Sequence, residues 1–133
     1  MLIDKQAQDH AEKVNEEELA AAIGGVRTKG SHPVDVVVFM DGAIRHGLEL
    51  KTLLSNTNDK ITVKSDALER KNAWAIDNRA TLHTVVFDDR DLESGRKIYW
   101  CLGCGAFRLS RLSRLHGGLE DLADLLQLIG PSR

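Results

Sequence analysis

The chain has 133 residues, 42% of them hydrophobic and 29% charged, which suits one domain built around one hydrophobic core. Its formal net charge is −2, from 18 basic and 20 acidic side chains, so overall charge does not announce a nucleic-acid binder, and any such binding must use a local patch. Apolar runs such as Val36 to Met40 are far too short to cross a bilayer, and two cysteines are too few for a disulfide framework.

The first residues include Asp4, Lys5, Gln6, Gln8 and Asp9 and hold no signal-peptide core, so the expectation is a cytosolic product with no membrane partner. Residues 4 to 23 read as a helix, with Ala7, Ala11, Val14, Leu19 and Ile23 as a rough apolar stripe and Gly24-Gly25 as its stop. Residues 34 to 39 predict a strong strand with one oddity, the charge of Asp35. Asp41-Gly42 signals a turn, and residues 47 to 53 alternate polar and apolar with period two, so the pair predicts an antiparallel hairpin. A polar stretch with Asn58, Asp59 and Lys60 follows, read as a plain turn or as a loop that grips phosphate, and Ile61 and Val63 suggest a short strand. A second helix is expected from Ser65, its N-cap, to Asn78. Thr81 to Phe87 and Lys97 to Cys101 predict two more strands, with Phe107 to Leu109 extending the sheet. A last helix starts near Gly118, places Leu119, Leu122, Ala123, Leu126 and Ile129 on one face, and ends at Gly130-Pro131. This order predicts one α/β domain over residues 1–133, a mixed central sheet flanked by helices.

The chemistry is a matter of parity. With the hairpin centred near Ala43, position 37 faces 49 and position 35 faces 51, so Asp35, Glu49 and Lys51 converge on one sheet face. Buried charge is costly unless paired or metal-bound. The two carboxylates and the Leu50 carbonyl offer hard oxygens to Mg²⁺ or Mn²⁺, and Lys51 would orient a water or stabilise charge in the transition state. The competing reading is a simple cross-strand salt bridge between Asp35 and Lys51.

Pro33-Val34-Asp35-Val36-Val37-Val38 followed by Gly47-Leu48-Glu49-Leu50-Lys51-Thr52 resembles the core motif of the PD-(D/E)XK nuclease superfamily, where an acidic residue opens one strand and (D/E)-x-K lies on the next. The inserted Val34 is a departure at a non-catalytic position. The resemblance implies a restriction-endonuclease-like core, metal-dependent phosphodiester hydrolysis and a nucleic-acid substrate, DNA before RNA. It also implies a Lys or Gln on the following helix, where Lys71 is the match, able to reach the scissile phosphate. As a residue alone, Lys71 reads first as a solvated helix lysine. An acid on the first helix would come from Glu12, Glu16 or Glu17. A second similarity is to C-terminal regions of phage head-morphogenesis proteins. It lies in Glu49 to Ile61 and in Thr81-Leu82-His83-Thr84-Val85-Val86-Phe87-Asp88-Asp89-Arg90. It implies phage head or portal partners, a host-cell cytoplasmic or virion-associated location, and a non-catalytic assembly role as the alternative.

Rival residues are read as follows. Cys101 and Cys104 form a C-x-x-C pair without a second ligand pair, so they are expected to be structural thiols rather than a zinc or redox site. His83 reads as a core or sheet-face histidine before a general base, a role it would need in a differently folded toxin RNase. His32 and His46 lie in loops without defined partners. Asp88-Asp89 reads as a turn or a metal pair. Trp74 and Trp100 are expected to fill interfaces. Arg108, Arg111 and Arg114, spaced by three, would form a basic ridge if helical, suited to phosphates.

Overall fold

A computed structural model of the chain describes residues 5–55 and 59–130. Along it run α1 (Lys5–Ile23), β1 (Val26–Arg27), β2 (Val36–Met40), β3 (Ala43–Leu53), β4 (Lys60–Thr62), α2 (Ser65–Asn78), β5 (Thr81–Asp88), β6 (Lys97–Leu102), β7 (Ala106–Arg108), a 3₁₀ turn (Leu109–Arg111), β8 (Ser113–Arg114) and α3 (Leu119–Leu128). Six strands form the main sheet in the order β1-β2-β3-β5-β6-β8, and β4 pairs β7 in a separate ribbon. Only β3 and β5 run parallel, which a short turn cannot achieve; α2 lies in the crossover between them.

Period-two alternation assigns the two faces. Leu48 and Leu50 of β3 join Val36, Val38, Val85 and Phe87 in the largest core cluster, under Leu19 of α1 and Leu122 and Leu126 of α3. The opposite face carries two smaller clusters. In one, Val37, Leu82 and Val34 meet Ala75 and Trp74 of α2; in the other, Leu53 and Val86 meet Ile61, Leu109 and Leu112 beneath the ribbon. The domain is therefore a mixed sheet between two helices on one side and a helix plus a ribbon on the other.

The hairpin differs in register from expectation. Its turn is the two residues Asp41 and Gly42, both at positive φ (54° and 79°), as a tight primed turn requires. Val37 consequently faces Gly47, with a bulge between Val38 and Phe39. The register is shifted by two residues from that expected, so side-chain parity survives: extending it places Asp35 opposite Glu49 rather than Lys51. Three further expectations are corrected. The N-cap position of α2 is Lys64, without a side-chain cap, because the helix already begins at Ser65. Phe107 pairs with Ile61 in the ribbon and does not extend the main sheet. Arg108, Arg111 and Arg114 lie on β7, the 3₁₀ turn and β8 rather than on one helix, since Leu109 and Leu112 turn inward between them.

Candidate active site

Asp35 sits one residue before β2, where its N–H donates to Leu48 O at 3.0 Å and continues the hairpin ladder. Its carboxylate folds back on β3: Leu50 N–H donates to Asp35 Oδ2 at 2.8 Å. This is the amide of Leu50, whereas the carbonyl was the expected ligand. Burial, then the charge of Glu49, push the Asp35 carboxyl up to about 7, against the Leu50 hydrogen bond that opposes the rise. Two acids thus share an enclosed site in which burial, more than their mutual repulsion, favours a proton on Asp35.

Glu49 is buried in mid-strand, on the face that packs against α2. Its Oε1 lies 3.3 Å from Lys51 Nζ and its Oε2 lies 2.9 Å from Lys71 Nζ. The second contact is a close ion pair, and the Lys71 ammonium, with three N–H donors, also donates to the Pro33 carbonyl. Lys71 is itself buried, so it is neither a solvated helix lysine nor free to extend toward an external phosphate. Lys51 keeps about a third of its side-chain surface and lines a cleft of about 270 Å³ with Gln8, Glu12, Thr52, Lys60 and Thr62. The expected Asp35–Lys51 salt bridge is not formed; Lys51 pairs with Glu49 on its own strand.

Among the described residues no three His, Cys, Asp or Glu side chains gather as a metal group. The donor set is two carboxylates. That fits Mg²⁺ or Mn²⁺, which are commonly held by one or two carboxylates with waters completing the shell. Asp35, enclosed and raised to about 7, and Glu49, held between two lysines, are the groups that would hold such an ion.

The first-helix acids divide. Glu12 lines the Lys51 cleft and accepts from the Gln8 amide at 3.1 Å, Glu16 pairs with Arg27 at 2.8 Å, and Glu17 is exposed. Asp88 and Asp89 are no metal pair: Arg90 grips Asp88 with two nitrogens at 2.9 Å, and Arg96 grips Asp89 at 2.6 and 3.1 Å. Asn58 lies outside the described residues. Asp59 pairs with Arg90 at 3.0 Å. Trp74 covers Gly47 and touches His32 edge-on at 5.6 Å, so it fills the interface as expected. Both cysteines are free thiols; burial pushes Cys101 up, and Cys104 to about 11, so neither is poised as a thiolate.

The position of His46 overturns an expectation, while His83 is a core histidine as the sequence reading favoured. His46 lies within β3, and its Nε2–H donates to the Leu126 carbonyl at 3.0 Å. That fixes its Nδ1 as an acceptor, for His83 Nε2–H at 2.9 Å, while His83 Nδ1 accepts from Trp100 Nε1–H at 3.0 Å. Every polar atom is satisfied only with both rings neutral. Burial lowers both, His83 to about 3, and the chain lies on the α1–α3 face, away from Glu49. A general-base role for His83 has no geometric support. Sequence reasoning missed this relay, although both positions share the inward parity of Leu48 and Val85.

No family model matches the chain, and no curated protein matches it. Among solved structures, the 1.6 Å structure of Hjc, a Holliday junction resolvase of the archaeal hyperthermophile Archaeoglobus fulgidus, superposes with a TM-score of 0.56. The match covers 86% of this chain and 96% of the resolvase at 13% identity. The chain therefore shares the fold of that resolvase, a mixed α/β sheet flanked by helices. Nothing in these comparisons supports the similarity to phage head-morphogenesis proteins.

Proposed function

We propose that the protein is a divalent-metal-dependent nuclease that hydrolyses phosphodiester bonds in DNA. The observation that carries this reading is the pair of enclosed carboxylates at the open end of the β2–β3 hairpin, one raised to about 7 and the other held between Lys51 and Lys71, with Lys51 facing the cleft. Asp35 and Glu49 would hold Mg²⁺ or Mn²⁺, with the Leu50 carbonyl as the further oxygen. When bound, such an ion withdraws charge from a phosphoryl oxygen and makes water more acidic. Lys51 Nζ reaches the cleft and would orient the attacking water or donate to the phosphoryl oxygen as negative charge grows on it. Lys71 holds the Glu49 carboxylate in place from behind. DNA ranks above RNA because the resolvase with this fold acts on a Holliday junction.

The test offers plasmid DNA, a four-way DNA junction, single-stranded DNA and structured RNA, each with Mg²⁺, Mn²⁺, Ca²⁺ or chelator. Cleavage of a DNA substrate with Mg²⁺ or Mn²⁺, and its loss in Glu49→Gln and Lys51→Ala, is the expected result. Activity that survives chelation and both substitutions rejects the mechanism. A non-catalytic role in protein binding, such as phage head assembly, is the second reading. It is favoured by the groove of about 470 Å³ between α2 and β6, where Ile76 and Leu102 are exposed. Failure to cleave any substrate, with no metal bound by calorimetry, selects it.

A further inference from the structure

We propose that the β4–β7 ribbon, with the 3₁₀ turn and β8 beyond it, is a phosphate-tracking surface that grips the DNA backbone alongside the Lys51 cleft. The inference rests on the nuclease reading and deepens it by assigning the surface that carries the substrate.

Three observations converge. First, Lys60 and Arg108 are direct cross-strand partners in an antiparallel ribbon, both exposed. The ribbon thus presents two basic side chains side by side on its exposed face. Second, the ribbon borders two clefts that share Lys60 and Thr62. One, of about 270 Å³, contains Lys51; the other, of about 330 Å³, contains Phe107 and Arg108. A strand with its scissile phosphate at Lys51 therefore has a continuous path onto the ribbon. Third, the positive charge continues. Arg111 is exposed on the 3₁₀ turn just after Arg108. Arg114 of β8 is paired with Tyr99, so it projects on the same face as Tyr99, the face that packs beneath the ribbon. Among the described residues Arg108, Arg111 and Arg114 form no ion pair. Of the nearby acids, Asp59 is held by Arg90, while Glu12 lines the far wall of the Lys51 cleft.

This charge is local, so it coexists with a net charge of −2. It reads backbone rather than sequence, because the side chains sit on an exposed rim with no element shaped to enter a groove. The turn of Leu109 and Leu112 into the core, which breaks up the helical ridge expected from sequence, is also what spreads the arginines along a line.

The test measures binding of a labelled DNA duplex by fluorescence anisotropy in chelator, so that no cleavage intervenes, over a range of salt concentrations. Each phosphate contact removed lowers the slope of log Kobs against log salt by about 0.9. Arg108→Ala with Arg111→Ala should lower the slope by about 1.8, while Lys13→Ala, on the outer surface of α1, leaves it unchanged. Both arginines are exposed, so folding is spared, and circular dichroism checks it. An unchanged slope in the double variant overturns the inference, as does wild-type protein that binds no duplex at low salt. Metal-dependent cleavage is scored separately on wild-type protein at low salt, so a failed surface and a failed catalytic site give different results.

Discussion

Lys71 and Glu49 form a buried pair whose two charges hold each other in place, 2.9 Å apart on α2 and β3. Removing one partner of a buried pair costs more than the pair contributes, because the other charge is left without compensation. Lys71→Met should therefore destabilise the metal-free protein by about 3 kcal/mol or more, measured by urea unfolding. Adding Glu49→Gln to it should recover part of the loss, with a coupling of about 1 kcal/mol or more. Strict additivity would mean the two residues are not energetically linked. Catalytic loss should divide differently. Lys51 is partly exposed and empties no packed core, so Lys51→Ala should keep its fold and lose turnover by about 100-fold or more, with KM little changed. Loss confined to KM would make Lys51 a substrate-binding residue only. Ca²⁺, larger and less strict in geometry, should support DNA binding with little cleavage.

At the scale of elements, α2 lies close on the sheet because β3 has a glycine where Trp74 rests. A Cβ built on Gly47 would stand 2.3 Å from Trp74 Cζ3 and 3.2 Å from Val34 Cγ1. Gly47→Ala should thus cost about 1–3 kcal/mol by overpacking, and Trp74→Leu in the same chain should return part of it. An unchanged melting temperature in Gly47→Ala would mean that α2 is not seated by this contact. The same element shows what the sequence made legible. Period-two alternation fixed which face Asp35, Glu49 and Lys51 share, because that property depends only on parity and outlives a register error of two residues. The register itself depended on the turn: Asp41-Gly42 was visible as a turn signal, but the centre was placed at Ala43, and only the two positive φ angles set it. Lys71 matched by family pattern, yet its burial against Pro33 and Glu49 depends on how α2 docks, which no helical periodicity encodes. The arginine spacing failed for a related reason. Leu109 and Leu112 had to face inward, and a spacing of three is compatible with extended and 3₁₀ backbone as well as with a helix.

The whole molecule carries two opposed proton linkages, one on each side of its sheet. On the α1–α3 face, burial holds His46 and His83 neutral, with Arg45 adding to the depression of His46 against the Leu126 hydrogen bond that opposes it. Below about pH 6.5 the unfolded chain protonates its histidines and the folded one does not, so stability falls as pH falls. On the α2 face, Asp35 has the reverse effect. Its folded-state value of about 7 exceeds the unfolded one, so the folded protein holds an extra proton between about pH 4 and 7 and gains stability as pH falls through that window. Each proton changes stability by about 1.4 kcal/mol per pH unit. Between about pH 4.5 and 6, His83 and Asp35 nearly cancel, and His46 tilts the balance toward acid destabilisation. Chemical unfolding of the metal-free protein in chelator, across this range, separates them. Asp35→Asn should steepen the acid loss by about 1.4 kcal/mol per pH unit, and His83→Gln, which keeps a donor and an acceptor for the chain, should flatten it by a similar amount. Asp88, held low by Arg90, loses its contribution only in stronger acid and does not intrude. An Asp35→Asn curve parallel to the wild type would show that the two carboxylates do not share an enclosed site, and the case for a cation between them would fall with it.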